Sequence, residues 1–160
     1  MPGKQYQIIL SYNHVSINGF LQHPTKIKGD IVNHSAKNVN DLRGYWSGKK
    51  CLVTGGYGFG GSHLAQQLIE QGANVFILDR ESPRNSYLTI SGLDNRTRFI
   101  PGDIRDLGLI KTSLDRFDIH TVFHLAAQPI VPVCNSSPLE SLSINVWGTY
   151  SILEAVRTST

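Results

Sequence analysis

Five glycines fall within seven residues, Gly55–Gly61, in the stretch CLVTGGYGFGGSHLAQQLIEQG that runs from Cys51 to Gly72. An apolar run precedes them and an amphipathic run follows. Glycine loses more backbone freedom on folding than any other residue, so a cluster of it marks a shape that side chains would forbid. Gly55, Gly58 and Gly61 keep the spacing G-x-x-G-x-x-G. A strand that turns straight into a helix beneath a pyrophosphate needs glycine at those three places. The first permits the tight turn, the second lets backbone approach the phosphates, and the third lets the helix pack on the strand. Amides at the helix N-terminus, with its partial positive charge, then face the anion. Tyr57 and Phe59, between the glycines, belong to the same candidate binding loop.

A glycine motif alone is weak, and its surroundings are what confirm it. KKCLVTG reads as a buried parallel strand ending in glycine. Leu64, Leu68 and Ile69 then stripe a helix that closes at Gly72. NVFILD is a second strand ending on Asp79, TRFIPGD a third and HTVFHLAA a fourth. Leu107, Ile110, Leu114 and Phe117 mark a helix before the fourth strand. Leu142, Val146, Tyr150 and Leu153 stripe a long helix after it, with Pro138 near its first turn. Strands alternating with helices predict an α/β fold, a Rossmann-like doubly wound parallel sheet with strand order 3-2-1-4 and helices on both faces. Residues 45–160 form that domain. Residues 1–44, rich in Asn, His, Gln and Ser, read as a poorly structured polar extension with room for one short strand in YQIILSYN.

Asp79 lies 18 residues after Gly61, at the end of the next strand. An acid there accepts hydrogen bonds from the adenosine ribose hydroxyls and repels a 2′-phosphate, which favours NAD over NADP. Arg80 beside it keeps the other cofactor open, because a guanidinium can receive that phosphate. A solvated strand-end acid is the plain alternative for Asp79.

Composition narrows the partners. Residues 1–50 carry seven Lys/Arg against two acids, and residues 51–160 carry eight against ten, so the basic balance belongs to the leader. No arginine cluster with interleaved aromatics supports nucleic-acid binding. No run of 18 apolar residues suggests a membrane span, and MPGKQYQIIL lacks the apolar core of a secretory signal. Cys51 and Cys134 have no metal or disulfide spacing; Cys51 reads as a buried strand residue and Cys134 as a loop residue. A cytoplasmic setting follows.

Together these residues resemble the extended short-chain dehydrogenase/reductase superfamily, in its NAD-dependent epimerase/dehydratase branch. The resemblance runs from about Trp46 to Arg157. GDIRD, Gly102–Asp106, looks like the segment after the third strand, which implies that Asp103 bonds the adenine amine and Ile104 packs on the ring. FHLAAQ looks like the fourth-strand motif, which implies that Leu125, Ala126, Ala127 and Gln128 line the middle of the cofactor. NVWGT, Asn145–Thr149, looks like the motif of the following helix, which in the family helps build a homodimer. HLAAQPIV with PLESLSINVWGTYSILEAVR most resembles the nucleotide-sugar 4,6-dehydratases of the CDP-glucose and GDP-mannose type. Taken residue by residue, Asp103 is also placed to cap a helix, His124 to sit in the core, and Asn145 to bond local backbone.

The resemblance implies a Tyr four residues before a Lys on a later helix, and a Ser or Thr after a fifth strand, for the chemistry on a nucleotide sugar. Tyr45-Trp-Ser-Gly-Lys49 has the spacing but precedes the first strand, so it is not read as catalytic. The expectation is therefore an NAD-binding N-terminal portion, inactive alone, with truncation favoured. The alternative is a non-catalytic nucleotide-binding or interaction module. An apolar edge on TVFHLAA, left without a neighbouring strand, is the feature that separates a truncated enzyme from a self-contained module.

Overall fold

Alternation of side chains along each strand sends two apolar sets to opposite faces of one sheet. Leu52, Leu78, Ile100 and Val122 point to one face and Cys51, Val53, Val75, Ile77 and Phe123 to the other. The computed structural model describes residues 7–10 and 44–159. In order the elements are β1 (Gln7–Leu10), β2 (Lys50–Thr54), α1 (Phe59–Glu70), β3 (Asn74–Asp79), the short α2 (Tyr87–Ile90), a 3₁₀ turn (Leu93–Arg96), β4 (Thr97–Pro101), α3 (Leu107–Phe117) and β5 (Thr121–His124). Short helices α4 (Val131–Ser136) and α5 (Pro138–Leu142) follow, then a π turn (Ser143–Trp147) and α6 (Gly148–Thr158).

All strand pairs are parallel and the sheet runs β1-β5-β2-β3-β4. Its last four members, β5-β2-β3-β4, are the expected 3-2-1-4 order of a Rossmann-like sheet. α1 and α2 cover one face through Ala65, Leu68, Ile69 and Leu88, and α3 and α6 cover the other through Ile110, Leu114, Ile152 and Ala155. The turn after α1 is closed by Gly72, whose φ of +83° lets its amide close on Ile69 O and the Ala73 amide on Leu68 O.

Three expectations are corrected. The edge of β5 is covered, because β1 lies along it with Gln7 opposite Thr121 and Leu10 opposite His124. The reading of residues 1–44 as a poorly structured extension otherwise lies outside the described residues, Gly44 apart. Cys134 lies in α4, not in a loop. The stripe Leu142, Val146 and Tyr150 faces outward, more than half exposed at each position. The buried face of that helical stretch is Ile144, Gly148, Ser151, Ile152, Ala155 and Val156. At Gly148 the inner face admits no side chain, because a Cβ there would overlap the Ile104 side chain. The π turn also takes up one extra residue, so a strict 3.6 period fails to carry the stripe across it.

The two faces give opposite mutational outcomes. Ile152→Ala, at a fully buried site, is expected to cost about 2–5 kcal/mol. Val146→Ala is expected to stay within about 0.5 kcal/mol. Urea unfolding, at a dilution where the chain is monomeric, measures both; equal losses would return the core to the outer stripe.

Candidate functional site

β2 ends at Thr54 and the chain turns at Gly55 with φ +67°, a left-handed conformation that glycine adopts without cost. A Cβ there would lie 2.8 Å from Ala126 backbone atoms, so the loop and the segment after β5 meet backbone to backbone. At Gly61 a Cβ would overlap the Gly55 carbonyl, which seats the first turn of α1 directly on the loop. The closest fit to a strand side chain is at Gly56, where a Cβ would come within 2.5 Å of Ile77. Gly58 precedes α1 in extended conformation with no side-chain cap, and no acid occupies the first turn. The positive end of α1 therefore opens on the cavity above the sheet.

That cavity, about 560 Å³ in volume, lies at the C-terminal ends of the strands. It gathers all thirteen residues singled out from the sequence: Gly55, Tyr57, Gly58, Phe59, Gly61, Asp79, Arg80, Asp103, Ile104, Leu125, Ala126, Ala127 and Gln128. It also takes in Leu78, Glu81, Pro83, Pro129 and Ile144, which sequence reasoning missed, along with Gly60 and Gly102. Gly60 and Gly102 sit inside the quoted motifs and were within reach. Ile144 is carried in by the π turn, which leaves no periodic signal.

Asp79 reaches back to the glycine loop. Its Oδ2 accepts the Tyr57 amide at 3.2 Å and its Oδ1 the Arg80 amide at 2.9 Å. Burial pushes its carboxyl pKa up, and these two amides oppose the shift. The Tyr57 ring itself is core: it stands edge-on to Phe99 with centroids 5.5 Å apart, and burial raises its phenol pKa. The Phe59 ring is 86% exposed and meets His63 edge-to-face.

Just past the end of the adjacent strand β4, where the Gly102 amide donates to Asp79 O at 2.9 Å, Arg105 grips Asp103, its Nε donating to Oδ1 at 3.0 Å, its Nη2 to Oδ2 at 2.6 Å and its backbone amide to Oδ1 at 2.9 Å. These bonds hold the Asp103 carboxyl below the usual carboxylate range. The same guanidinium donates to Glu140 at 2.8 Å and to Ser143 Oγ at 3.2 Å, which ties the cavity to α5 and the π turn. Helix capping falls to Asp106, which accepts the Leu109 amide at 2.9 Å.

His124 is buried between two hydroxyls, with Nδ1 2.7 Å from Thr54 Oγ1 and Nε2 3.1 Å from Thr149 Oγ1. Burial pushes its imidazole down to about 4. Asn145 clamps the loop after β5: its Oδ1 accepts the Gln128 amide at 2.7 Å and its Nδ2 donates to Gln128 O at 3.2 Å. Tyr45 and Lys49 lie at the far end of β2, about 13 Å of strand away from the loop. There the Lys49 ammonium stacks on the Tyr45 ring, 3.1 Å from its centroid. Among the described residues no group of three metal-ligating side chains forms, and no helix is long and apolar enough to cross a membrane.

The family model for GDP-mannose 4,6 dehydratase matches residues 52–160, from β2 through α6. The chain belongs to this family. CDP-glucose 4,6-dehydratase of Salmonella typhimurium is 39% identical over 116 residues, which are 72% of this chain and 32% of that protein. Among solved structures, an epimerase of Methanothermobacter thermautotrophicus superposes with a TM-score of 0.61 at 33% identity, covering 73% of this chain and 34% of that one. The UDP-glucose 4-epimerase of Thermus thermophilus, solved in complex with NAD, gives a TM-score of 0.59 at 31% identity over 68% of this chain and 33% of its own. This member of the GDP-mannose 4,6 dehydratase family spans about a third of the length of the CDP-glucose 4,6-dehydratase and of several other curated relatives it matches. Its NAD-dependent epimerase/dehydratase character rests on that match.

His124 makes a pH prediction. Folding holds it neutral, so between its ordinary value near 6.5 and its folded value near 4 the unfolded chain binds the extra proton. The contribution is complete above about pH 6.5 and is lost as pH falls toward 4. From pH 8 to pH 5 the loss is expected to be about 2 kcal/mol. Chemical denaturation across that range should show a shallower slope in His124→Gln; an equal slope would refute the assignment.

Proposed function

We propose that this chain is the NAD-binding N-terminal part of a nucleotide-sugar 4,6-dehydratase or epimerase, a lyase or isomerase of nucleotide-sugar metabolism. The carrying observation is that one cavity joins an uncapped helix N-terminus, a loop whose glycines a Cβ would block, and an acid at the end of the next strand. The fit is physical. Amides at the start of α1 suit a pyrophosphate, and Gly58 leaves them approachable. Asp79 is already oriented by the Tyr57 amide, and its carboxylate retains capacity for ribose hydroxyls. That charge favours NAD over NADP, with Arg80 beside it as a counterweight. Asp103 and buried Ile104 supply an adenine end, and Leu125, Ala126, Ala127 and Gln128 the opposite wall.

When bound, NAD supplies a reversible hydride acceptor for the sugar C4. The residues of this chain bind and orient that cofactor. Its one Tyr-x-x-x-Lys lies at the wrong end of β2, which supports binding without turnover by these residues alone. The two free thiols, one of them fully buried, suit the cytoplasm. Leu139, Leu142, Val146, Trp147 and Tyr150 form an outward apolar face on α5, the π turn and α6. We assign it to a homodimer contact, since such a patch is rarely left bare.

NAD at about a hundredfold excess over its Kd should add about 2.7 kcal/mol to stability, with a smaller effect from NADP. Differential scanning fluorimetry reads this directly, and an unmoved Tm at millimolar NAD would sink the binding claim. Asp79→Arg should invert the preference toward NADP; an unchanged ratio of affinities would show that Asp79 does not meet the ribose. Val146→Glu should convert the dimer to monomer in sedimentation velocity, and a dimer that persists would place the contact elsewhere.

A further inference from the structure

The loop after β5 is held by a chain of hydrogen bonds in which each hydroxyl and ring proton has one assignable place, while the Leu125 amide is shared between Thr54 O and Oγ1. Thr149 Oγ1 donates to Asn145 O at 2.7 Å, one turn back on the helix. Its hydrogen is thereby committed, so at His124 Nε2 it acts as an acceptor, and Nε2 carries the proton. Nδ1 is then a bare lone pair and accepts the Thr54 hydroxyl at 2.7 Å. Thr54 Oγ1, with its own hydrogen spent, accepts the amides of Leu125 and Ala126, each at 3.2 Å. Those two residues line the cavity, and next to them Gln128 is clamped by Asn145. The chain thus runs from the helix to the cavity wall through a single imidazole.

We propose that His124 is a positioning residue for the dinucleotide site, a neutral Nε2–H strut that transmits the place of the Thr149 hydroxyl through Thr54 to the Leu125–Ala126 backbone. The proposal rests on the NAD reading above and goes beyond it, because His124 does not line the cavity. The groups facing the ring are the hydroxyl of Thr54 from β2 and that of Thr149 from α6. Burial alone disfavours the imidazolium, and no nearby charge contributes to the shift. A protonated ring would also need Nδ1 to donate to an oxygen that already receives two amides. The strut is therefore neutral across the physiological range and serves neither as proton donor nor as pH sensor.

The test uses the full chain labelled with ¹⁵N-histidine, with NAD affinity measured by calorimetry at pH 7.5. The His124 ring nitrogens should report the Nε2–H tautomer, unchanged from pH 8 to pH 5.5. Thr149→Val should shift both signals and weaken NAD by about three- to tenfold, the worth of one hydrogen bond. Thr149→Ser, which keeps the hydroxyl, should restore the affinity to within about twofold. An Nδ1–H tautomer, or a ring that titrates between pH 6 and 7, would overturn the proposal whatever NAD does. So would a Thr149→Val chain that binds NAD as the wild type does, or a Thr149→Ser chain as weak as the valine variant; in both cases the NAD site itself would stand. Absence of NAD binding by the wild-type chain would instead overturn the dinucleotide reading and the coupling with it.

Discussion

The contact on which the site depends is the approach of two backbones, Gly55 and Ala126, at the C-terminal ends of β2 and β5. β2 and β5 pair in parallel up to Thr54 opposite His124, and the Thr54 side chain extends that pairing by holding the next two amides. A side chain at position 55 would wedge the two segments apart and widen the cavity floor. Packing of α1 on the loop at Gly61 then fixes where the helix N-terminus points. One steric condition, the lack of a Cβ at a few positions, thus sets both the floor and the positive end of the cavity.

The ends of two neighbouring strands, β3 and β4, present an acid to the cavity in different ways. Asp79 is steadied by main-chain amides and partly buried, which raises its pKa. Asp103 is more exposed and is held by the fork of Arg105, which lowers it. At Asp79 the Arg80 charge stands beside the carboxylate and only its amide bonds it, whereas at Asp103 the Arg105 fork bonds the carboxylate directly, beside its own backbone amide. The Arg105 arrangement also reaches Glu140 and Ser143, so the geometry at Asp103 is tied to the helix that carries the outward apolar face.

Much of this was legible in the sequence, for physical reasons. Buried parallel strands announce themselves as short apolar runs, and β2 through β5 were each visible that way. The residues around the cavity were legible because strand ends and glycine turns are marked by residue type as well as by period. What was hidden depended on tertiary choices. The outward stripe Leu142–Val146–Tyr150 is as apolar as any core stripe, and only the close packing of Gly148 on Ile104 shows which face is inside. The pairing of β1 with β5 was equally unreadable, since a lone four-residue strand carries no sign of its neighbour. Nor does spacing tell that His124 bridges two threonines 95 positions apart in numbering, Thr54 and Thr149.

The place of β1 has a kinetic side. β2, β3 and β4 are joined by short connections and can pair as the chain collapses locally, whereas β1 meets β5 across roughly 110 residues of chain. Once β2 to β5 have paired, the loop that remains to be closed is the stretch of roughly 40 residues from β1 to β2, and its entropy must be overcome by a ladder of four residues. The order of assembly that follows is from the glycine turn outward, with the outermost strand docking on a sheet whose cavity is already formed.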